Sequence, residues 1–175
     1  MNLEKTLEDE TVQLVRNAVI ELTDDVKEAL ARALERETSE IGKLQLQAIV
    51  DNIKLAEESQ VPICQDTGLI LFFVKIGRGF PGGLDVKTAL FRATRRATEE
   101  IPLRPNAVNP LTRENSGDNT GVEIPHIRCE QVEGDYIEVT VLPKGAGSEN
   151  MSAFAMLNPS QGSSTVKKFV VDTVI

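Results

Sequence analysis

Residues 69–74, Leu-Ile-Leu-Phe-Phe-Val, form the longest unbroken apolar run in the chain. A membrane helix needs about 18 such residues, so this run crosses nothing. Bounded by Gly68 and Gly77 and continued by Lys75-Ile76, it has the length of one strand. A strand apolar on both faces is expected at the centre of a sheet, covered on each side. The rest of the chain must supply those covers.

Residues 8–59 read as helices. Val12, Val15, Val19 and Leu22 recur at helical steps. Thr23-Asp24-Asp25 can cap a second helix with Val26, Leu30 and Leu34 inward. Ser39 can cap a third, carrying Ile41, Leu44, Ala48, Ile49, Ile53 and Ala56, with Gly42 loosening its first turn. Pro62 ends this part, because the residue before a proline is pushed out of the helical region. After the 69–76 strand, Asp85 to about Glu100 is a helix with Val86, Ala89, Leu90, Ala93 and Ala97 on one side and Arg92, Arg95 and Arg96 on the other. Residues 102–121 are a polar loop with three prolines, and long loops of this kind often carry function. Alternating segments 122–132 and 136–142, joined by Glu133-Gly134-Asp135, predict a β-hairpin. A last helix begins near Ser164 and is cut off at Ile175 in mid-pattern. The expected fold is α+β: about three N-terminal helices on a mixed sheet with a hairpin. It forms a single domain over 1–175, with a helical part to residue 60 and a sheet-containing part from 61.

Charge narrows the function. The net charge of -8 opposes nucleic-acid binding, which needs a basic surface. An anionic substrate would need a local arginine or lysine. Two cysteines build no disulfide framework and suit a reducing compartment, and the N-terminus lacks the pattern of a signal peptide. A cytoplasmic location is expected.

Cys64 stands with Gln65, Asp66 and Thr67 where a loop enters the apolar strand, a place where side chains can converge on a ligand. It reads equally well as an ordinary thiol. Cys129 alternates with Ile127 and is expected to be a buried small hydrophobe. His126 is the sole histidine, which excludes a two-histidine metal site and weakens any Ser-His or Cys-His scheme. The loop Lys144-Gly145-Ala146-Gly147-Ser148 lacks Walker spacing; its glycines can serve as a turn or let backbone N–H groups approach a carboxylate. Arg104, in the proline-stiffened loop, is either a solvated arginine or a two-pronged carboxylate clamp.

These loops together resemble the iron–sulfur-dependent (class I) fumarate hydratases and the related L-tartrate dehydratases. The blocks carrying the resemblance are Cys64-Gln65-Asp66-Thr67-Gly68, Pro102-Leu103-Arg104, 113–120 (Arg-Glu-Asn-Ser-Gly-Asp-Asn-Thr), 143–152 and Met156-Leu157-Asn158-Pro159-Ser160, in family order. The resemblance implies a hydro-lyase of the fumarate–malate step of the tricarboxylic acid cycle. It implies a [4Fe–4S] cluster held by three cysteines with one iron open to a small dicarboxylate. It implies Cys64 as a cluster ligand, Gln65, Asp66 and Arg104 as substrate contacts, and Gly147 as a backbone contact. The glycine loop favours fumarate over tartrate. The family's other two cluster cysteines and its proton-abstracting residue have no counterpart in this sequence. The expectation is therefore the N-terminal portion of an α subunit, inactive alone and completed by a β subunit or C-terminal domain, in a homodimer or heterotetramer without nucleic acid or membrane. A non-catalytic fragment or assembly module is the rival reading.

Overall fold

The computed structural model describes residues 2–67, 69–147 and 151–175. Gly68 and the 148–150 part of the glycine loop, both named above, lie outside the described residues. The elements run α1 (Leu3–Ile20), α2 (Asp24–Arg36), α3 (Glu40–Ser59), β1 (Leu69–Gly77), α4 (Val86–Glu100), β2 (His126–Val132), β3 (Ile137–Lys144) and α5 (Ser163–Val174), with a 3-10 turn at Pro159–Gln161. The α+β class and the N-terminal helices stand as expected.

Local chemistry sets the helix boundaries. The Asn2 side chain accepts from Lys5 N, Ser39 Oγ from Gly42 N and Asp85 Oδ1 from Thr88 N, each satisfying an N–H that a helix start leaves unpaired. Thr23 occupies the cap position of α2 without a side-chain capping bond. One continuous core joins Leu7, Val12, Val15 and Val19 of α1, Ile70, Phe72 and Val74 of β1, and Val86, Ala89, Leu90, Ala93 and Ala97 of α4. The alanines on α4 let it approach its neighbours closely.

The expected hairpin is not formed. The strand order is β2-β1-β3, with β1 parallel to β2 and antiparallel to β3. The two alternating strands run in opposite directions but flank β1 instead of pairing. Residues 133–136 bridge two strand spacings, about 10 Å, which four extended residues can span. The bridge crosses the end of β1: Gly77 N donates to Tyr136 O (2.8 Å), Arg78 N to Val132 O (2.9 Å) and Gly79 N to Gly134 O (2.7 Å). A Cβ on Gly77 would sit 2.5 Å from Gly134 O, so the crossing requires glycine there. The strand that opens with six consecutive apolar residues takes the centre, and the half-polar ones take the edges.

Three packing expectations also change. β1 is covered on one face only: Ile70, Phe72 and Val74 are buried, whereas Phe73 is 38% exposed and Lys75 is exposed. Cys129 is exposed, not buried. It does pair with Val74 on the helix side, but α1 lies over β3, leaving edge strand β2 thinly covered. Finally, α1 and α4, rather than the first three helices, form the layer on the sheet. Helix α2 buries no residue and α3 only Ile53 and Ala56. None of α5 is buried.

Candidate functional site

The segment between α3 and β1 is pinned at Ile63. Its N–H donates to Val19 O (2.9 Å), and its carbonyl accepts from Asn52 Nδ2 (2.8 Å). The next residue, Cys64, therefore leaves a fixed point between α1 and α3. Its Sγ accepts the N–H of Asp66 at 3.4 Å, a turn that presents the thiol outward. Cys64, Gln65 and Asp66 are exposed, while Thr67 is buried with an Oγ1 that has no hydrogen-bond partner among the described residues.

The 102–121 loop is ordered from within. Leu103 and Ala107 join the buried apolar set, and Asn119, in a left-handed conformation (φ 57°), fills the space beneath. Asn115 Nδ2 donates to Pro105 O (2.9 Å), and Asp118 Oδ2 pairs with Arg95 Nε (2.9 Å). Burial pushes the Asp118 carboxyl up, but bonds from the Thr120 hydroxyl and N–H, then Ser116 and Arg95, outweigh it and hold the group below its ordinary range. Asn119, which sequence reasoning assigned no role, holds the backbone on which Arg104 stands. The one signal for it was a residue tolerant of left-handed geometry beside Gly117 and Asp118.

These two segments meet. Cys64, Gln65, Thr67, Pro102 and Arg104, with Val61 and Pro62, line one open cavity of about 580 Å³. Asp66 turns instead to the glycine loop, where its carboxylate accepts from Ala146 N (2.9 Å) and Gly147 N (3.3 Å). The five residues singled out from sequence are thus brought together as two linked groups: Cys64, Gln65 and Arg104 on the cavity, and Asp66 with Gly147 beside it. The Gly147 N–H, expected to meet a substrate, meets the Asp66 carboxylate in this structure.

Such a cavity offers a thiol, an amide and a guanidinium, a set suited to an anionic ligand held near a soft metal ligand. Among the described residues no group of three or more His, Cys, Asp or Glu side chains converges, and both cysteines are free. His126 opens an edge strand and is exposed.

Over residues 8–175 the sequence matches the model of the fumarate hydratase (Fumerase) family, and the chain belongs to that family. It is 48% identical over 172 residues to a Methanocaldococcus jannaschii protein provisionally named L(+)-tartrate dehydratase subunit alpha, covering 96% of this chain and 60% of the relative. It is 41% identical over 139 residues to a Geobacillus stearothermophilus protein provisionally named class I fumarate hydratase, covering 79% of this chain and 27% of the relative. It is 36% identical over 154 residues to the L(+)-tartrate dehydratase subunit alpha of Escherichia coli K12, covering 87% of this chain and 51% of the relative. The chain thus spans between 27% and 60% of the length of these relatives.

Proposed function

We propose that this chain is the N-terminal portion of the α part of a hydro-lyase that adds water reversibly to a four-carbon dicarboxylate, fumarate giving L-malate. The observation carrying this reading is the shared cavity of Cys64, Gln65 and Arg104, three residues drawn from two segments some forty positions apart. Arg104 is the carboxylate clamp: its planar fork gives two parallel charge-assisted bonds and supplies locally the positive charge that a chain of net charge -8 otherwise withholds. Gln65 offers an amide donor to the same ligand. Asp66 and the Gly147 N–H flank it, joined to each other.

The donor set on this chain does not fit a complete [4Fe–4S] cluster. The thiolate of Cys64 is one suitable ligand on the cavity, and Cys129 lies on an edge strand away from it. Cys64 is therefore proposed as one cluster ligand, with the remaining ligands and the proton-abstracting residue supplied by a further segment or a β subunit. The α-subunit names of two relatives support such a partner. A cytoplasmic homodimer or heterotetramer is the proposed assembly. Among the described residues no helix is long and apolar enough to cross a membrane.

A second reading, L-tartrate dehydration, is favoured by the names of those same two relatives. The assembled enzyme, purified anaerobically through a tag on this chain, separates the two. Hydration of fumarate supports the first reading and turnover of L-tartrate alone the second. Neither activity, in a preparation with intact partners and a full iron content, overturns both and leaves an assembly module. The 175-residue chain by itself is expected to hold far fewer than about four irons after anaerobic reconstitution.

A further inference from the structure

We infer that Asn119 is a positioning residue for Arg104, acting through the backbone and not on the ligand. The inference rests on the reading of Arg104 as a carboxylate clamp.

Asn119 is 2% exposed and does not line the cavity that holds Cys64 and Arg104. Its side chain nevertheless uses both amide hydrogens and its oxygen on the segment that carries Arg104 and on α4. Nδ2 donates to the carbonyl of Arg104 (3.1 Å) and to Thr98 Oγ1 (3.2 Å), while Oδ1 accepts from Asn106 N (2.6 Å). Residues 104 and 106 flank Pro105, directly after the clamp, and Thr98 belongs to α4. The Thr98 hydroxyl is itself fixed, its one hydrogen shared between Thr94 O (2.8 Å) and Asp118 O (3.1 Å). Arg95 of α4 grips Asp118 from outside. The rigid core helix is thereby coupled, through one buried amide, to the two peptide groups that directly follow the arginine.

The physical need is clear from the side chain. A guanidinium at the end of a long stem binds two oxygens well only when its Cα is fixed, and about 1 Å of misplacement can cost roughly 100-fold in rate. Neighbouring prolines 102 and 105 stiffen the loop but donate no N–H to anchor it. Leu103 N reaches Thr98 O just before the arginine and Asn115 holds Pro105 O; Asn119 anchors the Arg104 carbonyl itself.

Asn119→Asp keeps the shape, the tolerance of left-handed backbone and the acceptor for Asn106, but removes both donors and sets an anion against the Arg104 carbonyl. In the assembled enzyme, Arg104→Lys is expected to lower kcat/KM by about 30- to 150-fold, and Asn119→Asp by about 10-fold, mainly through KM. The double variant should fall no further than Arg104→Lys alone, within about threefold, because both changes disable the same clamp. Asn119→Gly, which keeps the backbone freedom and loses the amide, repeats the test should the aspartate variant fold poorly. In the 175-residue chain, hydrogen exchange at the Asn106 amide should accelerate in Asn119→Gly and stay protected in Asn119→Asp, showing which bond each variant breaks. Multiplying effects in the double variant would overturn the positioning role while leaving the clamp intact. Wild-type kinetics for Arg104→Lys would overturn the clamp and the positioning role with it. Wild-type kinetics for both Asn119 variants, with Arg104→Lys impaired, would overturn positioning alone.

Discussion

Two helix pairs, α1 with α4 and α2 with α3, share the same ingredients and have different fates. Both carry apolar residues at helical spacing and charged residues opposite. In the first pair the apolar stripes meet each other and β1, and none of Val15, Ala89, Leu90, Ala93 and Ala97 is accessible to solvent. The charged faces meet too: Arg92 reaches Glu4 and Glu8, and Arg96 reaches Glu8 and Asp9. In the second pair a single ion pair, Lys27 with Glu57, is seen between the helices among the described residues, and Ile41 and Leu44 are 74% and 70% exposed. An apolar stripe says that a face can be buried; only the arrangement of the other elements says whether it is.

The sharpest way to break this contrast is to hollow the first region. Phe72, with 0% exposure, links β1 to the α1–α4 layer. Phe72→Ala should cost about 4 kcal/mol through lost burial and a residual cavity, read as a shift of the urea midpoint. A loss below about 1 kcal/mol would mean that the core lies elsewhere.

The polar seam of the same pair is worth less. Glu8, its side chain 14% exposed, has its carboxyl held below the ordinary value by the hydrogen bond from Arg96 first, then by Arg92, against an opposing desolvation. Glu8→Gln should destabilise by about 1 kcal/mol at neutral pH. The sign follows from the lowered pKa: the stabilisation is complete above the unfolded value of 4.5 and drains away as pH falls through the lower folded value. The gap between wild type and variant should therefore close below about pH 4. A gap independent of pH would assign the effect to packing.

Smaller still is the change at Cys129. Because its edge strand is thinly covered, Cys129→Ser should shift stability by less than about 0.5 kcal/mol, and a thiol reagent should modify Cys129 about as readily as Cys64. Slow modification of Cys129 in the isolated chain would restore the buried reading from its alternation with Ile127.

The smallest effect belongs to the second helix pair. Leu44→Ala should leave the melting temperature of the isolated chain nearly unchanged, within about 0.5 kcal/mol. The same substitution lowering the stability of the tagged assembly would show that a partner covers this helix.

Much of the site was legible in residues 64–67 and 104, because a turn beside an apolar strand and a proline-stiffened arginine are local patterns. What they contact was not. Asp66 holds the glycine loop 80 positions away, and Asn119 holds Arg104 from 15 positions away. Hydrogen bonds between side chain and distant backbone leave no periodicity to read.

The sequence by itself determined the helices, since caps such as Ser39 and Asp85 and a 3.6-residue repeat act within a few residues of each other. It also determined β1 as the central strand, since no edge position would suit six consecutive apolar residues. The tertiary structure alone decided that β1 separates the two strands which looked like a hairpin, that one face of β1 is left uncovered, and that Asn119 fixes the loop of Arg104. Alternation states which residues share a face, but neighbours in a sheet are chosen by competition among strands for backbone hydrogen bonds. That competition is settled only when the whole chain has packed.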